Sequence, residues 1–229
     1  MILVAALAVA PLMANDNDSV KRLDESATVF SEIMATPDRG IPQDLLENAR
    51  CIVIVPSLKT AAFVFGAKYG KGYVSCRTKG GAGWSAPATV RIEGGSVGFQ
   101  IGGSETDLIM LVKNERGMEK LLADKFTLGG EASVAAGPVG RTATAQTDAQ
   151  LNAEILSWSR SQGLFAGVAL EGATLRQDLD DNAQIYGERL TNRQILTTHV
   201  LTTQAGSRLI GMLDKYSVRE HVPTTAASN

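Results

Sequence analysis

A serine in a glycine-rich motif gives the clearest hint of catalysis in this sequence. Gly94-Gly95-Ser96-Val97-Gly98 matches G-x-S-x-G, which in α/β-hydrolases places a nucleophilic serine on a tight turn between a strand and a helix. The residues that follow, 99–103, favour a strand and a turn instead. The available base, His199, lies in a Thr-rich stretch without a marked acidic partner. We therefore predict no catalytic residue and retain a serine hydrolase using Ser96 as the less favoured alternative.

No motif indicates a nucleotide, cofactor or metal site. The glycines of residues 66–71 lie too close together for a P-loop, and Gly72 replaces the magnesium-binding Ser or Thr. Asp178, Asp180 and Asp181 form an acidic run that lacks the central Gly and the final Glu of a calcium loop. With two Cys and two His, the chain also lacks the ligands of the usual zinc cluster. We predict neither a cofactor nor a metal.

The charge of the chain is balanced overall but unevenly distributed. Lys and Arg number 22 against 24 Asp and Glu, whereas nucleic-acid-binding proteins are usually basic, so we predict no nucleic-acid partner. Between Asn48 and Ile92 there is no acidic residue, and the same stretch carries seven cations: Arg50, Lys59, Lys68, Lys71, Arg77, Lys79 and Arg91. Charge patterning of this kind indicates a surface for an anionic partner.

Four of these cations, Lys68, Lys71, Arg77 and Lys79, surround a predicted Gly-rich hairpin, where their donors could converge on phosphate. Each cation near an anionic leaflet contributes about 1 kcal/mol, so four would give about 4 kcal/mol before screening, enough for reversible attachment. The alternative is that the cations lie on several faces and only keep the protein soluble. Charge alone does not separate these two interpretations.

The order of the predicted elements favours one α+β domain over residues 19–216. Apolar residues recur at spacings of three and four through residues 19–36 and 205–216, which predicts amphipathic helices at both ends. Further helices are predicted at residues 115–123 and 174–186. Short apolar runs bounded by Gly, Pro and Ser predict strands: residues 51–55, 61–67, 72–77, 96–101, 108–112, 141–147, 155–160 and 164–171. This pattern predicts an antiparallel barrel-like sheet with flanking N- and C-terminal helices, followed by a flexible tail at residues 217–229.

The first fourteen residues predict export. Residues 1–14 are apolar and uncharged, too short for a bilayer span of about 20 residues, and they fit a signal peptide cleaved after Ala14. A signal peptide normally begins with a basic residue, and none precedes this run, which a truncated signal peptide would explain. The alternative is that these residues form a buried N-terminal strand or helix. We expect an exported protein, periplasmic or extracellular and peripheral to the membrane. There Cys51 and Cys76 could oxidise to a disulfide or remain two buried thiols.

The chain resembles the SYLF domain family, a lipid-binding module that is also known as an actin-regulating domain in yeast proteins. The resemblance covers about residues 20–215, and its motifs occur in order. They are residues 66–72 (GAKYGKG), 83–87 (GWSAP), 94–102 (GGSVGFQIG), 106–108 (TDL), 137–141 (GPVGR), 159–168 (SRSQGLFAGV), 170–172 (LEG) and 186–187 (YG). Because the Gly-Gly-Ser-Val-Gly block belongs to this module, the resemblance implies no catalysis.

The resemblance also implies a binding site. Eukaryotic members bind phosphoinositides through basic residues and an amphipathic N-terminal helix, and some bind actin filaments. Carried over, the helix is residues 19–36 and the basic residues are Lys68, Lys71, Arg141 and Arg160. Two positions depart from the family pattern: Trp158 replaces a common Tyr, and Gln162 replaces a common Lys. The apparent export signal suggests a bacterial protein, for which another anionic phospholipid is the expected ligand.

These observations predict noncatalytic binding of anionic, phosphoinositide-like phospholipid headgroups at a membrane surface. The predicted lipid-binding residues are Lys68, Lys71, Arg77, Lys79, Arg141 and Arg160, of which Arg77 and Lys79 rest on the charge pattern alone. The apolar side of helix 19–36 could insert at the membrane interface or simply pack on the sheet. A structural or partner-binding protein of the cell envelope is the alternative function.

Overall fold

A computed structural model of the chain describes residues 17–36, 40–79, 83–140, 148–161, 164–168, 170–198 and 202–217. Its helices and strands follow in the order α1 Asn17–Ala35, α2 Gln43–Asn48, β1 Cys51–Cys76, β2 Ala88–Val112, α3 Glu115–Leu121, β3 Lys125–Thr127, β4 Val134–Ala136, α4 Asp148–Asn152, β5 Ile155–Ser161, β6 Leu164–Gly167, β7 Thr174–Gln177, α5 Leu179–Tyr186, α6 Asn192–Thr197 and α7 Gln204–Tyr216. The described strands form one curled sheet in the order β3-β7-β2-β5-β4, with β1 on β2 and β6 on β5. Only the β4–β5 pair among them is parallel. The predicted α+β fold with an antiparallel, barrel-like sheet and flanking helices is confirmed.

A long β-ribbon is the centre of the sheet. Strands β1 and β2 pair from Cys51 opposite Val112 to Val74 opposite Ala88, with irregularities after Val55 and Ala62. The ribbon folds back on itself, so the first and last residues of β1 meet: Cys51 and Cys76 form a disulfide with their Cα atoms 3.9 Å apart. The two halves of β1 therefore pack against each other, and the alternative of two free thiols is wrong.

The core has two parts, on the two faces of this ribbon. Val53 and Val55 pack into one part, with residues of β7, α3 and α6. Ile52 and Ile54 pack into the other, with residues of α1, α2 and α7. Successive side chains of a strand point to opposite faces, so one apolar run in β1 serves both parts. This explains why the strand is hydrophobic continuously and does not alternate with polar residues.

Helix α1 packs on the sheet. It confirms the predicted helix 19–36, and its apolar residues Leu23, Ala27 and Phe30 are at most 1% exposed. Of the two interpretations of this helix, packing is therefore the one observed, and any insertion into a membrane would first require α1 to leave the core. No described helix combines the length and apolar character needed to span a bilayer.

The predicted helix 174–186 is wrong in its first part. Thr174–Gln177 is strand β7, which pairs with both β2 and β3, and the helix begins at Leu179 after Asp178 caps it by accepting the N–H of Asp181. The separately predicted strands 51–55, 61–67 and 72–77 are one strand, and strand 164–171 ends at Gly167. The predicted signal peptide 1–14, strand 141–147 and nearly all of the tail 217–229 lie outside the described residues.

Candidate functional site

Lys71 is bound by two buried carboxylates. Its Nζ lies 2.8 Å from Oδ1 of Asp181 and 2.9 Å from Oδ2 of Asp178. Arg22 of α1 reaches the second oxygen of Asp181 at 2.8 Å, and Arg91 of β2 lies 3.7 Å from Asp178. The two carboxylates are thus shared by three cations from α1, β1 and β2, and this cluster joins those elements to α5.

The pKa shifts in this cluster report the same pairing. Burial alone would lower the pKa of Lys71, but its hydrogen bonds to Asp181 and Asp178 and their negative charge raise it. Burial alone would raise the pKa of Asp178, but the bond to Lys71 and the charges of Lys71 and Arg91 lower it. Each group is therefore held in its charged form. The two carboxylates offset the charge of Lys71, although 24% of its side chain is exposed. Its contact with lipid stays a prediction.

Arg160 is engaged in the same way. Its Nε and Nη2 donate to Oδ2 of Asp107 at 2.9 and 2.7 Å, and its Nη1 donates to Glu32 of α1. Burial opposes the charge of Arg160, but these two carboxylates raise its pKa. The side chain joins β5 to β2 and to α1, which gives it a structural role in addition to any predicted contact with lipid.

Arg77 is buried inside the fold. Its Nη2 donates to the carbonyl of Ser217 at 2.8 Å, and its guanidinium lies 4.1 Å from the ring centre of Trp84. The indole Nε1 of Trp84 donates to Ser217 Oγ at 2.9 Å. Arg77 therefore attaches the β1–β2 connection to the end of α7, and 7% of it is exposed.

Lys68 and Lys79 are the predicted site residues whose charge remains available. Lys68 is half-buried on β1 and Lys79 is exposed in the β1–β2 connection, and neither makes an ion pair with any residue that the structure describes. The pairing of β1 is regular from Lys68 to Lys71. Lys71 follows Lys68 by three positions of regular strand, an odd number, so the side chains of Lys68 and Lys71 point to opposite faces. Arg141, Gln162 and His199 lie outside the described residues.

The backbone around Ser96 does not form the turn of a hydrolase. Ser96 lies within β2 opposite Gly66 of β1, and the strand continues through the whole motif. The predicted acidic run has structural roles, since Asp178 caps α5 and Asp181 binds Lys71 and Arg22. Over the described ranges, no group of His, Cys, Asp and Glu side chains is arranged to hold a metal ion.

A cavity of about 370 Å³ lies beside the β1–β2 connection. Lys79 and Trp84 line it from the connection, Met118 from α3 and Leu196 from α6. These residues come from segments far apart in the chain. The sequence therefore identified only Arg77 and Lys79, of the residues that line the cavity, as candidate binding residues. The acid-free charge pattern is the signal that pointed to them.

Comparison with known proteins identifies the family of this chain. A family model described as "Ysc84: Las17-binding protein actin regulator" matches residues 93–216, which span β2 to α7. The chain belongs to the Ysc84 family. The resemblance to the SYLF domain is thereby confirmed, and the family's description refers to binding and regulation, not to a reaction.

Several members of the Ysc84 family are similar to most of this chain. Protein YSC84 of Saccharomyces cerevisiae is 33% identical over 180 residues, covering 77% of this chain and 38% of its own length. SH3 domain-containing protein PJ696.02 of Schizosaccharomyces pombe is 34% identical over 209 residues, covering 89% and 48%. SH3 domain-containing YSC84-like protein 1 of Homo sapiens is 30% identical over 210 residues, covering 90% and 61%. The chain therefore spans less than two thirds of the length of these relatives.

Proposed function

We propose that this domain is a noncatalytic binding module that attaches reversibly to membrane surfaces rich in anionic phospholipid. One observation carries the proposal: Lys68 and Lys79 come from the acid-free stretch before Ile92, and the described part of the chain offers neither of them an ion pair. The pairing of Lys71 and Arg160 with carboxylates reduces the charge available to lipid. Two lysines supply about 2 kcal/mol near an anionic leaflet, so attachment is weak and depends on salt.

Sedimentation with liposomes tests the proposal. Vesicles of phosphatidylglycerol and phosphatidylcholine are compared with vesicles of phosphatidylcholine alone, at low and at physiological salt. The double variant Lys68→Glu with Lys79→Glu should bind anionic vesicles roughly 30-fold more weakly, since 1.4 kcal/mol corresponds to about tenfold.

The matched control is Lys125→Glu with Lys215→Glu. It changes the net charge by the same amount at two exposed lysines outside the acid-free stretch, and we expect it to bind nearly as well as the parent. Equal loss in both double variants would mean that net charge alone matters. Binding unchanged by the reversal of Lys68 and Lys79 would refute the proposal.

A protein partner is the second proposal. The family description names a Las17-binding actin regulator, and a Saccharomyces cerevisiae relative is named LAS seventeen-binding protein 3. We propose that this chain would use Lys68 and Lys79 to bind a protein, which is either a protein of the cell envelope or an actin filament. Sedimentation with purified actin filaments without lipid, and cross-linking in envelope extract, would test it. Capture that is lost in the Lys68 and Lys79 variant, with no liposome binding by the parent, would favour the partner over the membrane.

We also propose that the protein works in an oxidising compartment outside the cytoplasm. The disulfide between Cys51 and Cys76 is a bond that persists in such compartments, and the apolar residues 1–14 fit a signal peptide. Thiol labelling of the protein, purified from its natural source and denatured without a reductant, should find no free thiol. Cell fractionation should place the protein outside the cytoplasm. Two labelled thiols in a cytoplasmic fraction would contradict the proposal.

A further inference from the structure

The cavity beside the β1–β2 connection has cationic and hydroxyl groups but no carboxylate in its described lining. Its charged wall residues are Arg77 and Lys79, and its hydroxyl residues include Ser85, Thr197 and Thr202. A recess lined by one sign of charge attracts counter-ions and raises their local concentration. Behind the lining, burial raises the pKa of Asp214 and the charge of Arg77 lowers it, so the charge of Arg77 is partly offset. Lys79 is therefore the charge that favours an anion in the cavity.

Two of the hydroxyls are already committed to the backbone, and Lys79 supplies a charged donor for a ligand. Ser85 Oγ accepts the N–H of Cys76 and donates to the carbonyl of Ala86, both at 3.1 Å. Thr197 Oγ1 donates to the carbonyl of Arg193 at 2.7 Å. Lys79 is exposed and has no ion pair within the described ranges. A hydrogen bond from its ammonium to an anion would be charge-assisted and strong.

The rest of the wall is apolar. The ring of Trp84 lines the cavity together with Ala86, Met118 and Leu196. The ring is held in place, because its Nε1 donates to Ser217 Oγ and the guanidinium of Arg77 stacks on it. An inorganic anion would leave this apolar surface uncovered, whereas an anion that carries a hydrocarbon chain would cover it. The lining therefore fits an amphiphile better than a small ion.

The size of the cavity agrees with such a ligand. Ligand pockets usually measure about 300–1,000 Å³, and this cavity measures about 370 Å³. That volume holds a headgroup and several methylenes but not two long acyl chains, which would remain outside.

We propose that this cavity binds one anionic phosphate amphiphile, with its phosphate beside Lys79 and its first methylenes against Trp84, Met118 and Leu196. This rests on the proposed lipid-binding function and deepens it by assigning a site and a stoichiometry. The cavity recognises a single molecule, whereas attachment through Lys68 and Lys79 acts on a whole membrane surface.

Calorimetric titration of the full chain with monomeric short-chain lipid tests this. Dihexanoyl phosphatidylglycerol, kept below its micelle concentration, should bind with a stoichiometry of one. Dihexanoyl phosphatidylcholine and inorganic phosphate should each bind at least tenfold more weakly. The zwitterionic lipid lacks the net charge, and inorganic phosphate lacks the chain. Equal affinity for phosphatidylcholine would overturn the role of charge, and equal affinity for inorganic phosphate would overturn the role of the apolar wall.

Two variants place the binding in the cavity. Lys79→Gln should weaken binding at least tenfold, while the matched control Lys125→Gln, at another exposed lysine, should leave it unchanged. Thr202→Trp fills the cavity from an exposed position and should abolish binding without lowering the melting temperature. Binding that survives both Lys79→Gln and Thr202→Trp would refute the site, as would no binding by the parent.

Liposome sedimentation of Thr202→Trp separates this inference from the proposed function. Lys68 and Lys79 are intact in that variant, so we expect most of the attachment to anionic vesicles to remain while monomeric lipid no longer binds. If monomeric lipid binds to the parent but vesicles do not, the membrane proposal fails and the cavity proposal stands. If vesicles bind to the parent but monomeric lipid does not, only the cavity proposal fails.

Discussion

Cys51 and Cys76, the first and last residues of one β-strand, are covalently joined with their Cα atoms 3.9 Å apart. A strand of 26 residues brings its ends together only if it bends, and β1 does so at the middle of its ribbon with β2. The backbone reinforces this closure, since the N–H of Arg77 donates to the carbonyl of Arg50 at 2.8 Å. The disulfide and this hydrogen bond therefore hold the curled sheet closed at the β1–β2 connection.

Loss of the disulfide should destabilise the domain. The two cysteines are 25 residues apart, and the entropy of a loop of that length corresponds to about 3.5 kcal/mol. Urea denaturation with and without a reductant measures the effect. The double variant Cys51→Ala with Cys76→Ala is the control, because its stability should not depend on the reductant. An unchanged midpoint for the reduced parent would show that the bond does not hold the sheet.

Gly72 allows the two halves of β1 to touch. A Cβ at this position would lie 2.1 Å from the carbonyl oxygen of Ile54 and 2.7 Å from the Cα of Val55. Because both atoms belong to the backbone, Gly72→Ala should force the halves apart and lower the free energy of unfolding by at least about 2 kcal/mol. Urea denaturation followed by circular dichroism measures this loss.

Gly211→Ala is the matched control for Gly72→Ala. Gly211 lies inside α7, and no atom comes within 4 Å of an added Cβ there. Alanine favours the helix over glycine by about 0.8–1 kcal/mol, so this variant should be slightly more stable than the parent. If both substitutions destabilise equally, the close approach at Gly72 is not the cause.

The regular elements were largely predictable because their signals are local. The spacing of apolar residues in α1 and α7 is a property of neighbouring residues, and the structure confirms both helices. Strand β7 was missed for the opposite reason. Thr174–Gln177 has four residues and continues into a helix, so only its pairing with β2 and β3 makes it a strand. Tertiary contacts therefore determined the secondary structure of this segment, because its intrinsic propensities favour neither a helix nor a strand.

The candidate site was predictable only in part, for the same physical reason. The absence of acids between Asn48 and Ile92 suggested free cations, but the fold brings carboxylates from elsewhere. Asp181 is 110 residues from Lys71, and Asp107 is 53 residues from Arg160. Sequence patterning shows which charges are near one another along the chain and cannot show which charges meet across it. Lys79 was found from the acid-free stretch, and it makes no ion pair with the residues that the structure describes.

Substitution of Lys71 should lower the free energy of unfolding, independently of any effect on lipid binding. Lys71→Ala would leave Asp178 and Asp181 buried with only Arg22 and Arg91 beside them. Because these two cations remain, we expect a loss of about 1–3 kcal/mol. Lys68→Ala is the control, because Lys68 makes no ion pair in the described part of the chain and a change there should cost less than about 0.5 kcal/mol. Chemical denaturation of both variants measures the difference. Similar stability of the two would contradict the structural role of Lys71.

Acid should weaken the same cluster. Lys71 and Arg91 lower the pKa of Asp178 below its ordinary value of 3.8, against the opposing effect of burial. A group with a lowered pKa in the folded state contributes stability that is fully present above its unfolded pKa. That stability is lost as the pH falls through the folded pKa. The free energy of unfolding should therefore fall steadily as the pH is lowered from about 4, the ordinary pKa of Asp.

The variant Asp178→Asn isolates this contribution. Its amide can still cap α5 by accepting the N–H of Asp181, as Asp178 does at 3.3 Å, but it carries no charge to lose. At pH 7 the variant should be less stable than the parent, because Lys71 and Arg91 lose a carboxylate partner. The difference should shrink as the pH falls below 4, because protonation of Asp178 removes the same charge from the parent. Denaturation curves at pH 7, 5 and 3 measure it, and a constant difference across that range would show that Asp178 is not the group that titrates.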